Sequence, residues 1–220
     1  MSIENLKAAY REALPERWRR AIRSLLSVFD RDDYNTSFFN YVDSLQASSH
    51  PIMAATIAHR FKLENVIDIG CGSGGLLHSL REVGNIPGSG LEYSKRGREL
   101  CMQKGLQVEF ADLTEPLAID PKHDLVCCFE VAEHLPEAFA DQLVASLTSG
   151  PNHVVFSAAI PGQGGNDHVN EQPNSYWIEK FETQDFKTDK TMTEEIRAEW
   201  RSGEVVDWFA NNVMVFCRSK

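Results

Sequence analysis

From Asn65 to Ile160, short apolar runs alternate with segments whose apolar residues return at helical spacing. "NVIDIG" (65–70) reads as a strand, and the helix after it carries Leu76, Leu77 and Leu80 on one side. "GSGLEY" (88–93) is a second strand, entered through the turn signal Pro87-Gly88, and a helix from Lys95 to Lys104 follows, closed by Gly105. "VEFADL" (108–113) and "DLVCCFE" (124–130) supply a third and a fourth strand. Pro136 suits the first turn of a helix running to about Leu147, and "HVVFSAAI" (153–160) is a fifth strand. Strand and helix in regular alternation argue for an α/β chain whose parallel sheet is covered by helices on both faces. "VVDWFANNVMVFCR" (205–218) is expected to add a final edge strand, and 186–200 carries no decisive pattern.

Upstream of this region the pattern is helical to about Arg31. Trp18, Ile22, Leu25, Leu26 and Phe29 make one apolar stripe, with Arg17, Arg19, Arg20 and Arg23 near or opposite it as a solvated back. "RDDYNTSFFNYVDS" (31–44) then gathers Tyr34, Phe38, Phe39 and Tyr41. These rings serve either as an aromatic lid over a site that must exclude water or as the face joining the first helix to the core. The expected division is a helical lid or cap over 1–60 and a catalytic α/β unit over 61–220, folding together.

Composition narrows the class. A chain of 220 residues, 42% hydrophobic and 25% charged, can bury a full core as one domain. Its net charge of −10 repels phosphate backbones, so a nucleic-acid partner would need a local basic patch. The five cysteines are odd in number and form no CxxC pair, which points to neither a disulfide framework nor a cysteine zinc site. The first residues lack a signal peptide's apolar core and no run is long enough to span a membrane, so a reduced, cytoplasmic protein with no membrane partner is expected. Oligomeric state is not legible.

The chemistry starts at "DIGCGSGG" (68–75), where Gly70, Gly72, Gly74 and Gly75 lie between a strand and a helix. Glycines there let a ligand touch the main chain, and Gly70, Gly72 and Gly75 also fit the dinucleotide pattern G-x-G-x-x-G. Asp68 separates the two readings. Its carboxylate would repel a pyrophosphate but welcome the ammonium and sulfonium of S-adenosylmethionine. Glu92, ending the second strand 22 residues after Gly70, has the spacing of an acid that grips both ribose hydroxyls.

Asp68-x-Gly70-x-Gly72-x-Gly74, then Glu92, then "ADL" (111–113), then "EVAEHLP" (130–136) resembles the class I S-adenosylmethionine-dependent methyltransferases over roughly Asn65 to Ile160. The resemblance implies a Rossmann-like, doubly wound, mostly parallel seven-stranded sheet with an antiparallel last strand. It also implies a cofactor across the carboxyl ends of the first strands. Carried over by position, Gly70, Cys71 and Gly72 line the methionine part beside Asp68 and Gly74, and Glu92 holds the ribose. Tyr93 stacks near the adenine, Asp112 and Leu113 meet its amino edge and ring, and Glu130 sits beside the cofactor. Tyr41 joins this set from the aromatic segment.

Two further stretches bear on the acceptor. "SAAIPGQGGNDHVNEQPNSYW" (157–177) resembles a subset of bacterial methyltransferases found among glycan and secondary-metabolite genes. It spends Pro161, Gly162, Gly164 and Gly165 on a loop that presents Asp167, His168, Asn170 and Gln172 at the glycine-loop edge, as a substrate pocket or a self-satisfied surface loop. In one helical turn, Glu130, Glu133 and His134 would share a face. Three readings stay open: acids at a helix entrance, His134 as general base, or a divalent cation (Mg2+, Mn2+ or Zn2+) held by Glu130, Glu133, His134 and His168. The last arrangement is similar to small-RNA 3′-terminal ribose methyltransferases, and E-x-x-E-H is shared with polyprenyl-dihydroxybenzoate O-methyltransferases. The expected activity is methyl transfer to a small molecule, at oxygen first, with Glu133, His134 and His168 catalytic. Methylation at nitrogen, small-RNA ribose methylation and a non-catalytic cofactor-binding scaffold are the alternatives.

Overall fold

A computed structural model describes residues 36–219. The helix expected up to Arg31, and Tyr34, lie outside the described residues. Two helices, α1 (Thr36–Gln46) and α2 (Ser49–Arg60), precede the first strand. There follow β1 (Val66–Ile69), α3 (Gly75–Gly84), β2 (Gly88–Glu92), α4 (Lys95–Gln103), β3 (Gln107–Phe110) and β4 (Leu125–Phe129). Two short 3-10 turns, Ala132–His134 and Glu137–Phe139, lead into α5 (Ala140–Leu147) and β5 (His153–Ser157). The chain ends through α6 (Asn174–Glu182), β6 (Phe186–Thr188), α7 (Lys190–Ser202), α8 (Asp207–Asn212) and β7 (Met214–Arg218).

The seven strands form one Rossmann-like sheet in the order β3-β2-β1-β4-β5-β7-β6. β1 to β5 pair in parallel and β7 is antiparallel to both of its neighbours. Burial on both faces explains why the strands read as unbroken apolar runs. Ile67, Ile69, Val126, Cys128, Val154, Phe156, Met214 and Phe216 face α5 and α6, meeting Leu143, Leu147, Trp177 and Phe181. Val66, Leu125, Cys127, Val155 and Val215 face the other way, onto Met53 and Ile57 of α2, Leu76 and Leu80 of α3, and Trp200 of α7. Each fully buried side chain of this size contributes about 1.5–3 kcal/mol relative to exposure. Strand order reverses between β1 and β4, and chain ends leaving both strands open a crevice at that switch point.

Two expectations need correction, the edge strand and the ends of β3 and β5, and one segment without a pattern finds its place. Residues 205–218 do not form an edge strand. Asp207–Asn212 is helix, and the strand proper, Met214–Arg218, lies between β5 and β6, leaving β6 at the edge. Met214, Val215 and Phe216 alternate faces and all are buried, and β7 pairs with β5 on one side and β6 on the other. Residues 190–202, which showed no decisive pattern, are a helix. The Asp189 carboxylate caps it by accepting from the Met192 N–H, and Thr193, Ile196 and Trp200 form its buried stripe. β3 and β5 also stop short of their expected ends, at Phe110 and Ser157, and Ala111, Asp112 and Leu113 beyond β3 line the crevice.

Candidate active site

The crevice is a cleft of about 1200 Å³, bordered by the glycine loop, the ends of β2 and β4, α1 and the 160–172 loop. At its floor the glycine loop leaves β1 with φ of +73° at Gly70, +56° at Gly72 and +78° at Gly74. A Cβ on Gly70 would stand 2.5 Å from Val131 Cγ2, so this glycine is required by packing. A Cβ on Gly72 would meet only Phe39, at 3.8 Å, so its bare backbone faces open cleft. Cys71, Tyr93, Asp112 and Leu113 all line the same space. Tyr93 is 44% exposed and its ring packs on Phe110 at 5.6 Å, while Asp112 Oδ1 accepts from the Thr114 N–H and hydroxyl. Tyr41 lines the mouth with its ring mostly in solvent, and Phe39 is buried against the loop.

Two acids lie on this floor. Glu92 accepts from the Gly72 N–H at 2.8 Å and the Ser94 N–H at 2.6 Å. Burial raises its pKa against these bonds. Asp68 is buried in the sheet, and burial together with the Glu92 charge pushes its carboxyl up to about 7. A cationic ligand here would relieve both strains, and the open face of Gly72 leaves room for it. The donor set therefore fits an amino-acid sulfonium with a ribose.

α1 is tied to this floor. Ser73 Oγ donates to Asp43 Oδ1 at 2.5 Å, and Lys104 Nζ donates to the Ser73 carbonyl at 2.9 Å while lying 3.7 Å from Asp43 Oδ2. His50 of α2 also lines the cleft. Burial holds its imidazole down at about 4, with Asp43 opposing that shift and Lys104 adding to it.

At the mouth of β4 the expected shared helical face does not form. Glu130 takes φ +51°, so the chain turns sharply before the single 3-10 turn that carries Glu133 and His134. The Glu130 carboxylate instead accepts from Gln163 Nε2 at 2.7 Å and lies 3.4 Å from Asn212 Nδ2, which itself donates to Gln163 Oε1 at 2.7 Å. Ligand atoms of Glu133, His134 and His168 do converge, all within 4.8 Å of one another. His168 Nε2 lies 4.0 Å from Glu133 Oε1, and the two imidazoles meet edge to face at 5.0 Å. Three of the four expected cation ligands thus come together, and Glu130 stands outside that set.

The electrostatics of this trio are unusual. Glu133 is fully buried, and among the described residues neither carboxylate oxygen has a hydrogen-bond partner of good geometry; the nearby N–H groups of Glu133 and Ala159 only temper its charge. Burial and then the Glu130 charge push it up to about 9. Burial, followed by the neighbouring His168, lowers the His134 pKa, and its Nδ1 is likewise buried without a partner. An unpaired carboxylate in such a place costs several kcal/mol unless neutralised by a proton or a cation. One acid and two imidazoles fit a transition ion such as Mn2+ or Zn2+ better than Mg2+.

Five residues at or behind the cleft were not singled out by sequence reasoning: Asp43, His50 and Gln163, which line it, and Glu171 and Asn212, which contact His168 and Glu130. Glu171, three residues after His168, had a local spacing signal; Gln163 and Asn212 reach Glu130 from 33 and 82 residues away and had none.

A family model described as methionine biosynthesis protein MetW matches residues 55–130. The ubiquinone biosynthesis O-methyltransferase of Nitrosomonas europaea is 31% identical over 121 residues, 51% of this chain and 47% of the relative. That of Alkalilimnicola ehrlichii is 27% identical over 119 residues, 50% of this chain and 44% of the relative. The chain thus spans less than half the length of these curated relatives. Among solved structures, magnesium protoporphyrin IX methyltransferase from Synechocystis PCC 6803 with bound S-adenosylhomocysteine aligns with a TM-score of 0.65 at 15% identity, covering 88% of this chain and all of that one. Streptomyces venezuelae DesVI aligns at 0.64 and 11% identity, covering 84% and 99%. The fold is therefore that of the class I S-adenosylmethionine-dependent methyltransferases.

Proposed function

We propose that this chain is an S-adenosylmethionine-dependent methyltransferase that methylates a small-molecule acceptor, at oxygen, with help from a divalent cation. The observation that carries the cofactor half is the pair Asp68 and Glu92 beneath the open face of Gly72. S-adenosylmethionine supplies an electrophilic methyl on a sulfonium. Asp68 offers its charge to the amino-acid end, Glu92 grips the ribose hydroxyls, and Tyr93, Asp112 and Leu113 border the adenine. Gly70, Cys71, Gly72 and Gly74 keep the floor low enough for close approach. Phe39 and Tyr41 on α1 shield the mouth from water, the lid role assigned to the N-terminal segment. The ubiquinone biosynthesis relatives, named as O-methyltransferases, support oxygen as the acceptor atom.

Glu133, His134 and His168 hold the cation in this reading, with Glu130 beside them setting the local charge. A divalent ion there, when bound, lowers the pKa of an acceptor hydroxyl. The reaction is then an in-line displacement. The acceptor oxygen bonds to the methyl carbon, the carbon–sulfur bond breaks, and neutral S-adenosylhomocysteine leaves as the acceptor gives up its proton. Positioning supplies most of the rate. A metal-free alternative has His134 take that proton directly; its lowered pKa leaves the imidazole unprotonated and free to accept a proton at pH 7, although as a weaker base. The acidic net charge favours a metabolite over RNA.

The test is transfer of labelled methyl from S-adenosylmethionine to panels of hydroxylated and aminated metabolites, in chelator and after add-back of Mn2+, Zn2+ or Mg2+. Turnover that needs the ion supports the full reading, and equal turnover in chelator leaves His134 as a metal-free base. Cofactor binding without turnover on any acceptor favours a scaffold.

A further inference from the structure

The 160–172 loop closes around one residue that the proposed chemistry does not use. Glu171 Oε2 accepts from the Gly162 N–H at 2.8 Å, and Oε1 accepts from the Gly164 N–H at 2.8 Å. His168 Nδ1 lies 2.9 Å from the same Oε1. Gly162 and Gly164 have φ of +88° and +70°, the left-handed turns that aim both N–H groups at one carboxylate. Gly165 also lies so close to the imidazole that a Cβ there would stand 2.2 Å from His168 Nε2. The Val169 and Asn170 N–H groups both donate to the Glu133 carbonyl, at 2.9 and 3.0 Å, pinning the loop to the turn that carries the trio.

A carboxylate receiving two backbone N–H groups is an acceptor only, so the proton in its contact with His168 belongs to Nδ1. In a neutral ring the lone pair then lies on Nε2, the nitrogen that faces Glu133. We propose that Glu171 is a positioning residue that fixes His168 as the Nδ1–H tautomer and so presents an Nε2 lone pair to the cation centre. This rests on the cation reading above and deepens it. Carboxylate, imidazole and metal in sequence is a recurrent arrangement because the outer acid orients the ring and raises its basicity. Without the acid, His168 can place its proton on Nε2, which turns a ligand into a donor aimed at the same point.

The test separates this claim from its parent. Nitrogen-15 correlation spectra of the chelated protein, with His168 assigned by its loss in His168→Gln, report the tautomer with no metal present. The native chain should show Nδ1–H at His168. Glu171→Ala should move it toward Nε2–H and weaken Mn2+ binding by about 10–100-fold, with S-adenosylhomocysteine affinity held within twofold. Glu171→Gln keeps an oxygen acceptor, so it should retain the Nδ1–H form and most of the Mn2+ affinity even if the loop loosens. A native Nε2–H tautomer, or an unchanged tautomer in Glu171→Ala, overturns the proposal. Equal loss of Mn2+ affinity in the Ala and Gln variants also overturns it, in favour of a role in loop order alone. A native chain that binds no Mn2+, Zn2+ or Mg2+ refutes the cation reading, and the tautomer still decides the role of Glu171.

Discussion

Replacing Asp68 with Asn should stabilise the ligand-free protein and weaken its grip on S-adenosylmethionine. Asp68 sits in β1 opposite Gly90 and Cys127, 5% exposed, with its carboxyl pushed up to about 7 by burial and by the Glu92 charge. Glu92 has two backbone N–H groups to hold its charge, so the repulsion between the pair falls on Asp68. The folded-state pKa lies above the ordinary 3.8. The associated stability is therefore complete below about that value and is lost as pH rises through 7. At ~1.4 kcal/mol per unit, the loss by pH 8 approaches roughly 4 kcal/mol as an upper figure. Asn carries no such penalty. Thermal melts in chelator at pH 5, 6, 7 and 8 should show native and D68N curves diverging as pH rises, at about 2–4 °C per kcal/mol for a domain of this size. The cofactor's positive charge offsets the penalty only in the native chain, so D68N should bind it about 10–150-fold more weakly, the worth of a charged hydrogen bond. Parallel melting curves across this range would refute the raised Asp68 pKa, and equal cofactor affinity would refute the placement of the ligand cation at Asp68.

Other outcomes follow from neighbouring contacts. Glu92→Ala should cost about 1.5–3 kcal/mol in S-adenosylhomocysteine binding, read by calorimetry, with little change in melting temperature. Gly70→Ala and Gly72→Ala share left-handed backbone strain, but only the first drives a Cβ into Val131. Melting temperature should therefore fall more for Gly70→Ala, while Gly72→Ala should lose cofactor affinity out of proportion to its stability. Glu133→Gln should abolish Mn2+ binding by calorimetry while leaving S-adenosylhomocysteine binding within twofold.

Local features of the fold were readable because they are set by neighbours in the chain. The run 66–69, the three positive-φ glycines of the 70–74 loop and the helix closed at Gly105 all depend on residues a few positions apart. The place of β7 did not show, because an interior antiparallel strand and an edge strand differ in what packs on them and not in their own pattern. The trio at the mouth of β4 was half legible. One helical turn of Glu130, Glu133 and His134 with His168 from the loop at the same sheet edge was one of three open readings, but the backbone turns left-handed at Glu130 and takes it out of the set. Its true partners, Gln163 and Asn212, come from a loop and from α8, and tertiary structure alone brings them to it.

The most direct measurement of the central claim is calorimetric titration of the purified protein, in chelator, with S-adenosylmethionine and S-adenosylhomocysteine. A cleft floored by Asp68, Glu92 and the bare backbone of Gly72 predicts saturable one-to-one binding of both, weakened in D68N and in Glu92→Ala. The absence of binding heat for either ligand at millimolar concentration would contradict the account.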